Sequence, residues 1–162
     1  PQLLSEGPCH FLLYYRHKDI QPVFEEKQFA RKDIGTKEMI PVAQAAAARL
    51  HGWDLDQPGR PEIPHLGYDP SSFLGAVVEQ TIGAPTPPLA LRYMDALTEA
   101  IKRRMLSGSS VAWLPEGAVA EEMAAGLVVP VGGDTWRATL TFSLFCSHDR
   151  LDKVGRQVWN AL

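Results

Sequence analysis

The segment LSGSSVAWLPEGAVAEEMAAGLVVPV, residues 106–131, constrains the fold of this chain more than any other stretch. Val111 to Leu114 is an apolar run entered from a glycine turn at Gly108, and it reads as a buried strand. Pro115 ends it. Proline lacks the N–H that a continuing ladder needs and its fixed φ suits the first turn of a helix, so a helix is predicted over 116–125. Gly126 can take the left-handed conformation that closes a helix, and the β-branched run from Val128 to Val131 follows as a second strand. The preceding ALTEAIKRRMLSG carries Leu97, Ile101 and Met105 at helical spacing, with Ala100 near the same face. Helix, strand, helix and strand in this order belong in an α/β sheet, and α/β sheets place their ligands where strands end at a common edge.

The flanking chain extends the same pattern. Phe11 to Tyr15 reads as a short apolar strand with Arg16, His17, Lys18 and Asp19 at its end. Gln28 to Lys32 and Glu38 to Ala43 read as two extended segments around a turn at Gly35, followed by a helical turn over 45–50. HGWDLDQPGRPEIPHLGY holds three prolines and three glycines, too many breakers for a regular element, and reads as a loop leading to a hinge. Leu66 to Tyr68 then makes a strand, and Asp69, Ser71 or Ser72 can cap the helix of SFLGAVVEQTI, whose first-turn N–H groups would face the same edge. Beyond the breakers of GAPTPP, LALRYM is a strand and Asp95 stands before the next helix. RATLTFSLFC is a long strand with Leu140, Phe142 and Leu144 on one face. RLDKVGRQVWNAL is a helix with Leu151, Val154, Val158 and Leu162 on one stripe.

Composition removes several functions. A formal net charge of -3 provides no overall basic field for a nucleic-acid backbone. No apolar run approaches the roughly 18 residues that a membrane span requires. Two cysteines, Cys9 and Cys146, lie far apart without CxxC spacing, which fits a reducing compartment and points to the cytoplasm. The chain has no GxSxG elbow, no GxxxxGK[ST] loop and no HExxH, so no catalytic residues are assigned. Cys9 with His10 and Cys146 with His148 lack a third ligand at usable spacing, so no metal or cofactor is assigned.

The order of elements, together with AIKRRMLSGSSVAWLPEGAVAEEMAAGLVVPV, resembles the effector-binding domain of LysR-type transcriptional regulators. In that family a helix ends in a small-residue step with glycine, a strand ends in leucine-proline, and a short helix gives way to Gly-Leu-Val and another strand. Met105 to Pro115 and Gly126 to Val131 match this run, with Ser110 in place of the usual second glycine. LLSEGPCHFLLYYRH is similar to an earlier family segment, with His10 where aspartate is usual. FARKDIGTKEMIPVA resembles the paired strands after it, and LDKVGRQVWNAL the closing helix. YYRH and AWLPE look like the family's hypochlorite-responsive branch, in which methionine oxidation would be one switch available to Met39, Met94, Met105 and Met123; packing is the alternative use of these four.

The resemblance implies an α/β, two-lobed, type II periplasmic-binding-protein-like domain, truncated at its N-terminus. Lobe I would be residues 1–62 plus 145–162, and lobe II residues 63–144. The family's winged helix-turn-helix, its linker helix and the first strand and helix of the effector domain would precede Pro1, so DNA would be bound only through that missing part. A small-molecule effector would sit between the lobes, and the full-length protein would be a homodimer or tetramer, without catalysis. A periplasmic-type solute-binding protein is the alternative with the same architecture, although such a protein is normally larger and exported.

On this reading the effector would meet Arg16 and His17 from lobe I, and Ser71, Ser72, Phe73, Asp95, Thr98, Trp113 and Pro115 from lobe II. Each has a plainer use. The serines and Asp95 would cap helices, Arg16 and His17 would close a strand end in solvent, and Trp113 would fill the core. Lys102, Arg103 and Arg104, the one dense basic cluster, read as a solvated helix face.

Overall fold

A computed structural model describes residues 4, 9–21, 24, 28–57, 62–83 and 87–162. Most of the opening PQLLSEGP, and the GAPTPP breakers at 84–86, lie outside the described residues. The chain divides into two units: 1–37 with 140–162, and 38–139. The expected lobes, 1–62 with 145–162 and 63–144, divide it elsewhere. The reason lies in the strands. The chain passes from one unit to the other inside β2 (Ala30–Gln44) and near the start of β7 (Ala138–Cys146), where no breaker marks the passage.

β2 is also the clearest departure from the sequence reading, which placed a turn at Gly35. It is a single strand of 15 residues. Gly35 is exposed, and the described glycines with positive φ are Gly52, Gly83 and Gly126, so extended backbone simply runs through position 35. The strand stays continuous because it has different partners along its length, β7 before and β5 and β6 after.

In the unit 38–139, the second half of β2 pairs antiparallel with β5 (Val111–Pro115) on one side and β6 (Val128–Pro130) on the other. β5 pairs parallel with β3 (Ile63–Tyr68), and β3 parallel with the edge strand β4 (Leu89–Asp95). β5 therefore sits inside the sheet with helices over it, and Val111, Ala112, Trp113 and Leu114 are all buried. A strand covered on both faces needs apolar residues at every position, which is why VAWL does not alternate.

The helices are α1 (Ala45–His51), α2 (Phe73–Ile82), α3 (Thr98–Ser107) and α4 (Glu116–Ala124). α3 inserts Ile101 and Met105, both fully buried, whereas Leu97 stands before the helix and is 67% exposed. α4 ends as the sequence implies. The Gly126 N–H donates to the Met123 carbonyl at 3.0 Å and the Leu127 N–H to the Glu122 carbonyl at 2.9 Å, with Gly126 at φ +70°. These are the two bonds of a Schellman ending, which satisfies carbonyls the helix leaves unpaired. Lys102 of α3 pairs with Glu122 of α4 at 2.7 Å, and the Arg104 guanidinium lies 4.5 Å from the Tyr93 ring centroid. Two of the three basic residues thus brace the unit.

The unit 1–37 with 140–162 holds β1 (Phe11–Arg16), antiparallel to β7, and the first part of β2. Ser143, fully buried, donates from Oγ to Asp33 Oδ1 at 2.6 Å and so keeps its hydroxyl satisfied. α5 (Lys153–Ala161) begins at Asp152, whose carboxylate accepts from Gly155 N at 2.6 Å. Its buried face is Leu151, Gly155 and Trp159, which cluster with Cys146, Phe11, Ala30 and Leu144. The expected stripe therefore keeps only Leu151: Val154, Val158 and Leu162 are 64%, 45% and 58% exposed. The large Trp159 sets the rotation of the helix, because its ring stacks on Phe11 at 6.4 Å and covers more area than the valines could. The face expected for β7 is also incomplete. Leu140 is fully buried, but Phe142 and Leu144 are only half-buried and the pattern shifts to Ser143 and Phe145.

Candidate functional site

β3, β4 and β5 run parallel, and their carboxyl ends are brought to one edge of the unit 38–139. Tyr68 pairs with Asp95 at the ends of β3 and β4, while β5 continues from Val111 and Ala112, opposite His65 and Leu66, to its own end at Pro115. Three helices start there: α2 at Phe73, α3 at Thr98 and α4 at Glu116. Ser71, Ser72, Phe73, Asp95, Thr98 and Pro115 thus meet along this edge, as parallel strands in register require.

Each turn is built by its own side chains. Asp69 Oδ1 accepts from the Ser71 N–H at 2.8 Å and from the Ser71 hydroxyl at 2.7 Å. Ser72 Oγ donates to the Asp69 carbonyl at 2.7 Å and accepts from Gly75 N at 3.0 Å, so Ser72 is the cap of α2. A Cβ on Gly75 would stand 2.1 Å from the Asp69 carbonyl oxygen, so only glycine allows the turn to close this tightly. In the next turn Asp95 Oδ1 accepts from Leu97 N at 2.9 Å and Oδ2 from the Tyr93 hydroxyl at 2.6 Å. The Asp69 N–H donates to the Asp95 carbonyl at 3.0 Å and ties the two turns together.

These bonds favour charge on both acids. The Ser71 hydroxyl and N–H hold the Asp69 carboxyl below the usual range, and the Tyr93 hydroxyl followed by the Leu97 N–H does the same for Asp95. Tyr68 Oη lies 3.2 Å from Thr98 Oγ1, and burial pushes its pKa up to about 12, so it stays a neutral hydroxyl. The edge is therefore acceptor-rich, with two carboxylates beside tyrosine, threonine and serine hydroxyls.

Trp113 does not share it. The ring is 1% exposed, its Nε1 donates to the Trp136 carbonyl at 2.7 Å, and it packs edge-on to His65 at 5.3 Å. The interior position of β5 buries it whichever face it takes. Arg16 and His17 belong to the other unit, at the end of β1, where the Asp19 N–H donates to His17 Nδ1 at 3.3 Å. Among the described residues no group of three or more histidine, cysteine or acidic side chains is placed to hold a metal ion. In the sequence Asp69 reads only as an alternative cap, and neither Tyr68 nor Tyr93 is singled out. The available signal was an aspartate directly after an apolar strand, at YDPSS and again at YMDALT.

Parallel strands ending together under three helix starts define an open-sheet α/β domain. More particularly, the chain has the fold of the regulatory domain of LysR-type transcriptional regulators. No family model matches it. The chain is 23% identical over 160 residues to HTH-type transcriptional regulator YjiE of Escherichia coli K12, covering 98% of this chain and 50% of that protein. It is likewise 23% identical over 160 residues to the HTH domain-truncated transcriptional regulator QseD of Escherichia coli O157:H7, covering 98% of this chain and 63% of that one. Among solved structures, full-length HypT of Salmonella typhimurium, a hypochlorite-specific LysR-type transcriptional regulator, superposes with a TM-score of 0.79 at 20% identity. That match covers 99% of this chain and 53% of HypT. The chain thus spans about half to two thirds of the length of these curated relatives, both of which are transcriptional regulators.

Proposed function

We propose that this chain is the effector-sensing part of a LysR-type regulator, in which a small polar molecule at the carboxyl edge of β3, β4 and β5 alters DNA binding by another segment of the protein. The observation that carries this reading is the meeting of Ser71, Ser72, Asp95 and Thr98 at one edge of a sheet with the LysR regulatory fold. The ionised Asp69 and Asp95 favour an effector that brings hydrogen-bond donors, such as a hydroxyl or ammonium group. HypT's specificity for hypochlorite adds oxidant sensing as the second reading, because Met94 is 46% exposed and open to oxidation. A cytoplasmic homodimer or tetramer is the form in which such a sensor would act, and the exported solute-binding alternative is not favoured by relatives that are regulators.

A thermal-shift screen with amino acids, polyols, organic acids and hypochlorite tests this, since a ligand of the folded state raises the midpoint. A hit should weaken in Ser72→Ala and Asp95→Asn while circular dichroism stays unchanged. The same titration of Arg16→Ala measures what the end of β1 contributes. If no compound class shifts the midpoint, or the hit ignores both edge variants, the assignment of this edge fails.

A further inference from the structure

The strand edge continues into a cavity of about 510 Å³ between α2 and the strands β3 and β4. The two share the turn that joins β3 to α2. Tyr68, Pro70 and Gly75 line the cavity, while Tyr68 Oη lies against Thr98 Oγ1 and the Gly75 N–H is held by the Ser72 cap. From Gly75 the lining follows one face of α2 through Val78, Glu79 and Ile82 to Gly83, at the three- and four-residue steps of a helical stripe. At about 1.5 Å per residue this stretch makes a groove about 12 Å long. The edge strand β4 supplies Leu91 and Met94, both exposed. A groove of this volume with aliphatic walls is the ordinary lining of a site that takes hydrocarbon.

The charge around the groove has one sign. Glu79 lines it, Asp69 stands between the lining residues Tyr68 and Pro70, and Asp95 directly follows Met94. Among the described residues no lysine or arginine lines it, and Arg104 of α3 is engaged over the Tyr93 ring. Helix starts ordinarily draw anions through their free N–H groups. Here those groups are spent, the Ser71 and Leu97 N–H on the carboxylates of Asp69 and Asp95 and the Gly75 N–H on Ser72 Oγ. Whole carboxylate charges therefore outweigh the roughly half charge of each helix start.

We infer that the effector site extends along this groove and takes an organic ammonium ion carrying a hydrocarbon chain, its head at the acidic strand edge and its chain between α2 and β4. This rests on the strand edge being the effector site and adds the class of molecule it takes. The carboxylates supply counter-charge and acceptors for the ammonium, and the chain covers Leu91 and Met94, which otherwise stand in water. A carboxylate ligand would face three like charges.

The test uses the 162-residue chain with a series from ethylammonium to hexylammonium, and with 1-hexanol and hexanoate as neutral and anionic probes of the longest chain. Calorimetry should show affinity rising by up to about fourfold per added methylene, the worth of one buried CH₂, and amide chemical shifts should move at Gly75, Val78 and Ile82. 1-Hexanol should bind about tenfold more weakly than hexylammonium, because it offers a neutral donor to the carboxylates, and hexanoate should not bind. Leu91→Ser, a change at an exposed position that leaves the fold intact, should flatten the chain-length series. Asp95→Asn should weaken every ammonium probe by the same factor and leave the increment per methylene unchanged. Ammonium binding that depends on Asp95 but not on chain length would overturn the groove and leave the strand edge standing as the effector site. Absence of binding by the whole series would overturn the inference, as would hexanoate binding as tightly as hexylammonium. Shift changes along α2 that follow protein concentration instead of probe concentration would identify a self-association face and also overturn it.

Discussion

Lowering the pH from about 7.5 to about 5 should destabilise the unit 38–139 through His65. Burial pushes this imidazole from 6.5 down to about 4, with no counter-charge to offset it. In the unfolded chain it titrates near 6.5. Below that pH the unfolded state takes up a proton that the folded state refuses, so stability is complete above 6.5, falls as the pH drops, and levels off below about 4. At about 1.36 kcal/mol per pH unit the full span would remove about 3 kcal/mol, of which about 2 kcal/mol is lost by pH 5. That is a large share of the roughly 5 to 15 kcal/mol that holds a typical domain folded. The acids held low by their neighbours, Asp69, Asp95 and Glu122, have ordinary values of 3.8 to 4.5 in the unfolded chain, so they contribute little to the change above pH 5. The assay is urea unfolding followed by tryptophan fluorescence at both pH values, in the parent and in His65→Leu. The parent should lose about 2 kcal/mol more than the variant over this interval. Equal losses in the two proteins would refute the reasoning, because leucine cannot titrate.

Four further substitutions check the packing. Gly75→Ala should be strongly destabilising, by more than about 2 kcal/mol in denaturant unfolding, because its Cβ would fall 2.1 Å from a backbone oxygen that cannot retreat. Gly126→Ala should cost only about 1 kcal/mol by the same measurement, since φ +70° is strained for alanine but nothing lies within 4 Å of the new methyl. Trp159→Ala should remove about 3 to 5 kcal/mol and Val158→Ala almost nothing, with near-ultraviolet circular dichroism reporting the lost Phe11 stack; equal effects would put the wrong face of α5 inside.

How much was legible depended on how local the cause was. The strand, proline, helix and glycine of residues 111–126 were fully readable, because Pro115 acts through its own missing N–H and Gly126 through its own φ. The capping turns of the candidate edge were readable too, whereas Tyr68 and Tyr93 beside them were not. Serines and aspartates before an apolar helical run make short-range turns, and the bonds of Asp69, Ser72 and Asp95 span only two or three residues.

The tertiary structure decided what depends on partners remote in the chain. Nothing near Gly35 says whether the chain turns there or runs on; β2 is continuous because β7, β5 and β6 supply hydrogen bonds along it. Val154 and Val158 satisfy a helical period as well as Gly155 and Trp159 do, and the choice fell to the ring of Phe11, far away in sequence. Trp113 could be assigned to an edge or a core only once β5 was known to lie between two neighbours. His65 carried no sequence signal, since its burial and its unpaired nitrogen arise from β4, α2 and Trp113 closing around it. Periodicity and capping are properties of a few consecutive residues, whereas burial belongs to the set of surfaces that fold against each other, and a single chain read in order does not contain that set.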